Sequence, residues 1–185
     1  MNIVKRNVKA RVVVNSSIER HPVPVLGVDY KVKIVYKNIK ITELDVENKT
    51  IKISLPNKYK KMSNKEILDL AIEKMYEQIA NVEIERAMEK TRIMLGFAPE
   101  EYEIAKMKTL GTCKERKITI NPEIVKYNRK VIDYVVLHQY CHLKYKTHSK
   151  KFFEMLEKYQ PDYKKCEEIL FIPSKPNTET LSLIP

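Results

Sequence analysis

The chain has 185 residues, of which 43% are hydrophobic and 32% charged, a composition typical of a globular domain rather than a disordered chain. Its three cysteines include no CxxC pair, which argues against a disulfide framework and favours a reducing compartment. No apolar stretch is long enough to span a bilayer, and the N-terminus does not resemble a secretory signal. The sequence therefore predicts a cytoplasmic protein with no membrane partner.

The net charge of +11 has two interpretations. A polyanionic partner, such as nucleic acid or a nucleotide, would explain it. The alternative is a solvated surface, because much of the lysine lies beside glutamate in predicted helices. Abundant Lys and Glu are also typical of thermophile proteins. We favour the solvated surface and keep nucleic acid and nucleotides as candidate partners.

The first 60 residues are rich in strand patterns. Residues 29–37 ("DYKVKIVYK") alternate apolar with charged side chains. The segments "IKITELDV" and "TIKISLP" repeat this pattern on either side of the polar turn "ENK" at 47–49. We expect these segments to form a small antiparallel β-meander.

A long helix is predicted next. The capping-box sequence "SNKE" (63–66) marks its start, because the serine and the glutamate can each bond the other's backbone N–H. Apolar residues then recur at helical spacing as far as Leu95, and Gly96 supplies the stop.

The rest of the chain begins with two predicted strands, "EYEIAKMK" and "KITINP", on either side of "LGTCKER". A strongly apolar helix is expected from about Lys130 to Tyr145, and shorter helices should begin at Ser149 and Pro161. These patterns predict an α+β fold.

We predict a single domain over residues 1–172, with a strand-rich part at 1–60 and a core at 61–172. The proline-rich tail at 173–185 has little periodicity and should lie loosely on the surface. A further hypothesis is that this tail lies in a cleft of its own chain or of a neighbouring copy and blocks it. The oligomeric state does not follow from the sequence.

Three of the four histidines lie on or just after the apolar helix. His138 and His142 are four residues apart, so their side chains share one face of the helix. If the helix ends near Tyr145, the chain can turn back and bring His148 to the same point. Three neutral imidazoles with one open position suit Zn²⁺ in a catalytic site. The alternative is a chance cluster of core or surface histidines, and the spacing favours the metal.

These residues carry a resemblance to a known group of enzymes. HxxxH with a third histidine six residues on, followed by "SKKFFEMLEKYQPDYK", is similar to the SprT-like and YgjP-type hydrolases of the zincin group. The segment "LGTC" (110–113) resembles their Gly-Ser/Thr-Cys element, and the resemblance covers about residues 25–172. It implies a zincin-like fold, in which a long backing helix supports an active-site helix that C-terminal helices follow. It also implies that the zinc ligands are His138, His142 and His148.

Position 139 departs from the motif of that group, in which the residue after the first histidine is glutamate. The glutamate takes a proton from the attacking water and passes it to the leaving group. Gln139 stands there instead, and its amide cannot act as a base at neutral pH. Gln139 is either native to a metal-binding pseudoenzyme or an engineered Glu→Gln replacement, and the otherwise intact motif favours the second. We expect a catalytically impaired zinc metallopeptidase.

Other residues have candidate roles. Tyr163 can donate a hydrogen bond to a developing oxyanion, although a packed aromatic ring is an equal alternative. By resemblance, the strand at 116–120 is a candidate for pairing with an extended peptide or protein substrate. Cys141 should be a buried thiol and not a ligand, because it points to the side of the face that His138 and His142 share.

Two alternatives to a peptidase stay open. The resemblance to YgjP-type members implies a nucleotide pyrophosphate hydrolase, whose phosphate substrate suits the basic charge. A metal-stabilised module that binds nucleic acid without catalysis is the other. Peptide cleavage, nucleotide hydrolysis and salt-sensitive DNA binding distinguish the three.

Overall fold

The computed structural model describes residues 22–171, and the tail at 173–185 lies outside this range. The strands are β1 Val23–Val25, β2 Val28–Lys37, β3 Glu43–Glu47, β4 Thr50–Pro56, β5 Glu101–Ile104, β6 Gly111–Lys114 and β7 Lys117–Ile120. The helices are α1 Asn64–Leu95, α2 Arg129–Lys144, α3 Lys150–Tyr159 and α4 Tyr163–Phe171. The predicted α+β class is confirmed. Among the described helices, none has the length and apolar character that a bilayer span requires.

The described chain divides into two compact units, with residues 22–23 and 30–75 in the first and residues 24–29 and 76–171 in the second. The boundary crosses the short β1–β2 hairpin and the middle of α1. A single domain over residues 1–172 stays a prediction.

The first sheet has the strand order β1-β2-β4-β3. Central β4 is its most buried strand, because Ile51, Ile53 and Leu55 are almost completely inaccessible to solvent. The outer strand β3 is largely exposed, and Val46 retains 59% of its accessible surface. Burial thus decides the strand order, since the most apolar strand takes the centre.

The predicted antiparallel meander is wrong in one respect. β3 and β4 pair antiparallel across a turn at residues 48–49, as expected, but β2 and β4 run parallel. The chain leaves β2 and first forms the exposed outer strand β3, and then β4 inserts between them. Alternating patterns alone identified the strands but not this order.

The second unit contains a three-stranded sheet of order β5-β7-β6. The segment around "LGTCKER", expected to join two strands, itself forms β6 and the tight turn to β7. β7 is the central strand, with Ile118 and Ile120 fully buried, and it pairs with a strand on each side. The prediction that residues 116–120 accept a substrate strand is therefore wrong, because both backbone edges of β7 are occupied.

Helix α1 runs unbroken for 32 residues. Its predicted capping box is confirmed, since Ser63 N–H donates to Glu66 Oε2 at 3.0 Å and Glu66 N–H donates to Ser63 Oγ at 3.4 Å. Gly96 follows its last residue with a φ of 73°, a left-handed conformation that favours glycine.

Ion pairs join the second half of α1 to α2. The buried carboxylate of Glu83 accepts hydrogen bonds from Arg129 at 2.6 Å and from Arg86 at 3.0 Å. Asp133 of α2 accepts from Arg86 at 2.8 Å and from Lys90 at 2.6 Å. Helix α2 also packs on β6, β7, α3 and α4. Charged contacts to α2 therefore contribute to the predicted support of α2 by α1.

We expect Glu83→Gln to lower the free energy of unfolding by about 1–2 kcal/mol, less than a fully buried pair would lose, because Arg86 and Arg129 stay accessible to water. Chemical denaturation at pH 7 measures this change. Glu89→Gln is the matched control, because Glu89 bonds Arg92 on the same helix but both side chains are half exposed. An equal effect of the two substitutions would contradict the prediction.

The same contribution should depend on pH. Hydrogen bonds from Arg129 lower the pKa of Glu83 below its usual value of 4.5, against the effect of burial, and Arg86 adds to the lowering. A carboxyl whose pKa is lowered by folding stabilises the protein above its unfolded pKa, and the stability is lost as the pH falls through the lowered value. The difference between the parent and Glu83→Gln should therefore shrink as the pH falls below 4.5.

Candidate metal centre

Helix α2 presents the first two histidines from the interior of the second unit. It begins at an N-cap, Asn128, whose side chain accepts a hydrogen bond from Val131 N–H at 3.1 Å. Gly27 of the β1–β2 turn lies against this cap, and a Cβ on Gly27 would come within 3.0 Å of Asn128 Cβ. Residues 134–141 of the helix are all buried, so its position is fixed by packing on every side.

The three predicted histidines meet at one point. His138 Nε2 lies 3.2 Å from His142 Nε2 and 3.0 Å from His148 Nε2. His148 arrives from the short loop after α2, and Ser149 directly after it caps α3 by accepting from Phe152 N–H. The predicted chain reversal after α2 is confirmed by this arrangement.

A phenylalanine forms the floor beneath the cluster. Phe152 of α3 is fully buried, and the centroid of its ring lies 4.8 Å from the centroid of each of the three imidazoles. Burial falls off across the cluster, since His138 is buried, His142 half-buried and His148 exposed. The cluster thus has one dry side and one side open to solvent.

Hydrogen bonds at Nδ1 determine which nitrogen of two imidazoles carries the proton. The carbonyl oxygen of Tyr145 lies 3.1 Å from His142 Nδ1 and can only accept, so this Nδ1 must carry hydrogen. Tyr134 Oη lies 3.3 Å from His138 Nδ1 and donates its own proton to Glu167 at 2.9 Å, so His138 must donate to it. Both Nε2 atoms are left with an unshared electron pair.

Burial also keeps these imidazoles neutral. It lowers the pKa of His138 to about 3, and the neighbouring His142 and His148 add to the effect. Burial lowers the pKa of His142 as well, although its hydrogen bond to Tyr145 opposes the change. Neutral imidazoles are the form that binds metal ions.

The cluster fits a tetrahedral metal ion. Two nitrogen ligands at 2.0–2.1 Å from tetrahedral Zn²⁺ are about 3.3 Å apart, close to the observed Nε2 separations of 3.2 and 3.0 Å. Unshared pairs of His138 and His142 that face each other at this distance repel unless a cation lies between them. Nitrogen donors from three imidazoles also suit zinc chemically.

Gln139 follows His138 on α2, and its side-chain amide lacks hydrogen-bond partners within the described residues. Its side chain is completely buried, and neither amide atom has a hydrogen-bond partner among residues 22–171. A buried amide without partners costs about 1–3 kcal/mol, so such groups mark positions that serve a ligand. The Gln139 side chain lies close to Gly111 of β6. A Cβ added at Gly111 would lie 3.2 Å from Cγ and from Nε2 of Gln139.

The remaining predicted residues lie further out. Tyr163 is buried, and its ring stacks on Phe153, which in turn lies beside His148. Its role towards an oxyanion stays a prediction. Cys141 is fully buried, and burial raises the pKa of its thiol to about 12, in agreement with a core cysteine.

Two residues in contact with the histidines, Tyr134 and Phe152, and a third that bonds Tyr134, Glu167, were missed from the sequence. Tyr134 lies four residues before His138, a spacing that places both on one helix face and could have been noticed. Phe152 lies four residues after His148, but His148 is in the loop before α3, so this spacing does not predict a contact. Glu167 is 33 residues from Tyr134 along the chain, and only the packing of α4 on α2 brings them together.

The chain matches a known protein family over most of its length. The family described as YgjP-like, metallopeptidase domain, matches residues 3–171. The solved structures that are similar to the chain include two metallopeptidase zymogens. The metallopeptidase zymogen abylysin of Pyrococcus abyssi has 23% identity and a TM-score of 0.45, over 52% of this chain and 99% of its own. The zymogen jannalysin of Methanocaldococcus jannaschii has 16% identity and a TM-score of 0.41, over 48% and 87% respectively. None of the curated proteins matches the chain.

We expect Gly111→Ala to lower the free energy of unfolding by about 1–3 kcal/mol, because the new methyl group would overlap Gln139 and the end of Ile120. Denaturant titration measures the change. In a Gln139→Ala background, Gly111→Ala should lower the free energy of unfolding by less, because part of the side chain that the new methyl group would overlap has been removed. An equal cost in both backgrounds would show that Gly111 is not needed for the approach of Gln139.

Proposed function

Because the chain belongs to the YgjP-like metallopeptidase family, we propose that it is a zinc-dependent peptidase whose catalytic base is missing at Gln139. Membership of this family implies a metal, and the zinc site consists of His138, His142 and His148. One observation carries the proposal. Three Nε2 atoms converge, and the residue that follows the first histidine along α2 has a buried amide with no partner among residues 22–171.

Each side chain of the site has a separate task. When bound, Zn²⁺ supplies a Lewis acid that lowers the pKa of water towards about 7 and polarises a carbonyl group. His138 and His142 present unshared pairs because Tyr134 and Tyr145 engage their Nδ1 atoms. Gln139 can orient a water molecule through its amide but cannot accept a proton at neutral pH. The chain as written therefore binds the metal and turns over poorly.

An extended peptide can approach along β6. This strand is an edge of its sheet within the described chain, and its Gly111 touches Gln139. The two-residue turn 115–116 makes Lys114 and Lys117 a hydrogen-bonded pair. Alternation then directs the backbone N–H and C=O of Cys113 and Gly111 away from β7, towards the side on which no described strand pairs with β6. A substrate strand would pair there, next to position 139.

Nucleic-acid binding without catalysis is a second candidate. It is favoured by the exposed 3₁₀ turn Asn57–Lys61, whose lysines Lys58, Lys60 and Lys61 form no ion pair within residues 22–171. Lys60 lies 6.0 Å from the ring centroid of Tyr36, and lysines beside aromatic rings suit single-stranded nucleic acid. Lys37 and Lys52 of the first sheet favour it less, because Glu43 and Asp45 of β3 lie opposite them.

Gln139→Glu should raise peptide hydrolysis about 10²–10⁴-fold, because it restores a group that accepts a proton. Turnover of a quenched peptide library at pH 7, with equal bound zinc in both proteins, measures the gain. Adding His142→Ala to Gln139→Glu should abolish the gain together with the zinc. Gln139→Ala, which removes the amide but adds no base, is the matched control.

The same preparations separate the alternatives. Nucleoside triphosphate hydrolysis without peptide cleavage in Gln139→Glu would replace the peptidase by a nucleotide pyrophosphate hydrolase. DNA binding that weakens with salt, with no turnover of either substrate, would favour the nucleic-acid module. A purified parent chain that binds no zinc would overturn the zinc site itself.

Pairing of the substrate with β6 has its own test. In the Gln139→Glu background, Cys113→Pro removes an outward N–H without touching the ladder to β7, so kcat/KM should fall at least about fivefold, the value of one neutral hydrogen bond. Cys113→Ala loses the same thiol but retains the N–H and serves as the comparison. Equal kcat/KM for the two variants would show that the substrate does not pair with this edge.

A further inference from the structure

Tyr134 and Glu167 form a hydrogen-bonded chain that ends on a histidine of the cluster. Tyr134 is almost fully buried on α2, and its hydroxyl lies 3.3 Å from His138 Nδ1. The same hydroxyl donates to Glu167 Oε1, on α4, at 2.9 Å. The rings of Tyr134 and His138 meet edge to face, with centroids 5.7 Å apart. The chain thus connects a carboxylate on one helix with an imidazole on another.

The direction of this chain follows from the count of protons. A tyrosine hydroxyl has one proton to donate, and a carboxylate can only accept. A tyrosine hydroxyl keeps its proton at neutral pH. With that proton directed to Glu167, the tyrosine oxygen can only accept from His138.

We propose that Tyr134 and Glu167 are positioning residues that hold His138 in the tautomer whose Nε2 is free to bind the metal. Glu167 acts through Tyr134, because it fixes the orientation of the hydroxyl. Without the carboxylate, the hydroxyl can donate to His138 Nδ1 and leave the imidazole proton on Nε2, where it excludes a metal. This role rests on the proposed zinc site.

A purely structural role would look different. Tyr134 fills space between α2 and α4 through its ring, and phenylalanine retains that ring. A packing role would therefore survive Tyr134→Phe, whereas a positioning role would not. Helix α2 also provides a matched control. Tyr140 is equally buried, and its hydroxyl donates to the carbonyl oxygen of Met88 at 3.2 Å and not to a histidine.

Zinc affinity of the full chain provides the first test. Competition with a chelating dye should show that Tyr134→Phe weakens Zn²⁺ binding about 10–100-fold, as removal of a ligand's hydrogen-bond partner does elsewhere. Tyr140→Phe should bind Zn²⁺ as the parent does. Glu167→Ala should weaken binding by a similar factor to Tyr134→Phe. Binding by Tyr134→Phe within twofold of the parent would overturn the proposal.

A double-mutant cycle tests whether Glu167 acts through the tyrosine. In the Tyr134→Phe background, Glu167→Ala should cause no further loss of zinc affinity, because the hydroxyl that it orients is absent. Equal losses in the two backgrounds would show that Glu167 acts independently, as a nearby negative charge or a packing group. Thermal unfolding of each variant checks that the helices stay folded.

The metal-free protein provides a readout that does not depend on zinc. Imidazole ¹⁵N chemical shifts distinguish the two neutral tautomers, and the parent and Tyr140→Phe should show His138 with its proton on Nδ1. Tyr134→Phe and Glu167→Ala should shift His138 towards the other tautomer. If the His138 tautomer is the same in both variants as in the parent, the proposed positioning role is wrong. A parent with the expected tautomer but without zinc affinity would instead sink the proposed zinc site.

Discussion

Two imidazole nitrogens with unshared electron pairs, one on a buried ring and one on a half-buried ring, face each other at 3.2 Å. Such an arrangement is unfavourable by itself, and it persists only where the surroundings leave the rings no other position. Helix α2 is enclosed by packing on most sides, Phe152 lies beneath all three rings, and hydrogen bonds at Nδ1 fix two of them. The strain at the cluster is thus offset by the stability of the elements around it.

The two faces of α2 differ in charge and burial, and each face has a different role. On one side, carboxylates and guanidinium groups hold the helix against α1, where water still reaches the arginines and keeps the desolvation cost low. On the other side, burial lowers the pKa of His138 and of His142, so these two imidazoles are neutral and ready to bind a cation. Metal binding would relieve the repulsion between the nitrogens, so it would also stabilise the fold.

Much of this arrangement could be predicted from residue patterns. The capping box at Ser63, the end of α1 at Gly96 and the meeting of the three histidines follow from local rules of spacing and chain conformation. Local patterns do not reveal which strands become neighbours. They failed for the parallel pairing of β2 with β4 and for the central place of β7, because burial of the whole sheet decides both. Glu167 escaped detection for the same reason, since its link to the site depends on the packing of α4.

The buried amide of Gln139, which has no hydrogen-bond partner within residues 22–171, affects which substitutions evolution would favour at this position. An apolar residue of similar volume, such as methionine or leucine, would fill the same space without two unsatisfied polar atoms, and the protein would be more stable. Random substitution in a chain released from any catalytic requirement would therefore tend to remove the amide. A glutamine at this position is therefore expected where ligand binding still selects for a polar side chain of this shape. It is also expected where a glutamate was deliberately replaced to keep the shape and remove the charge.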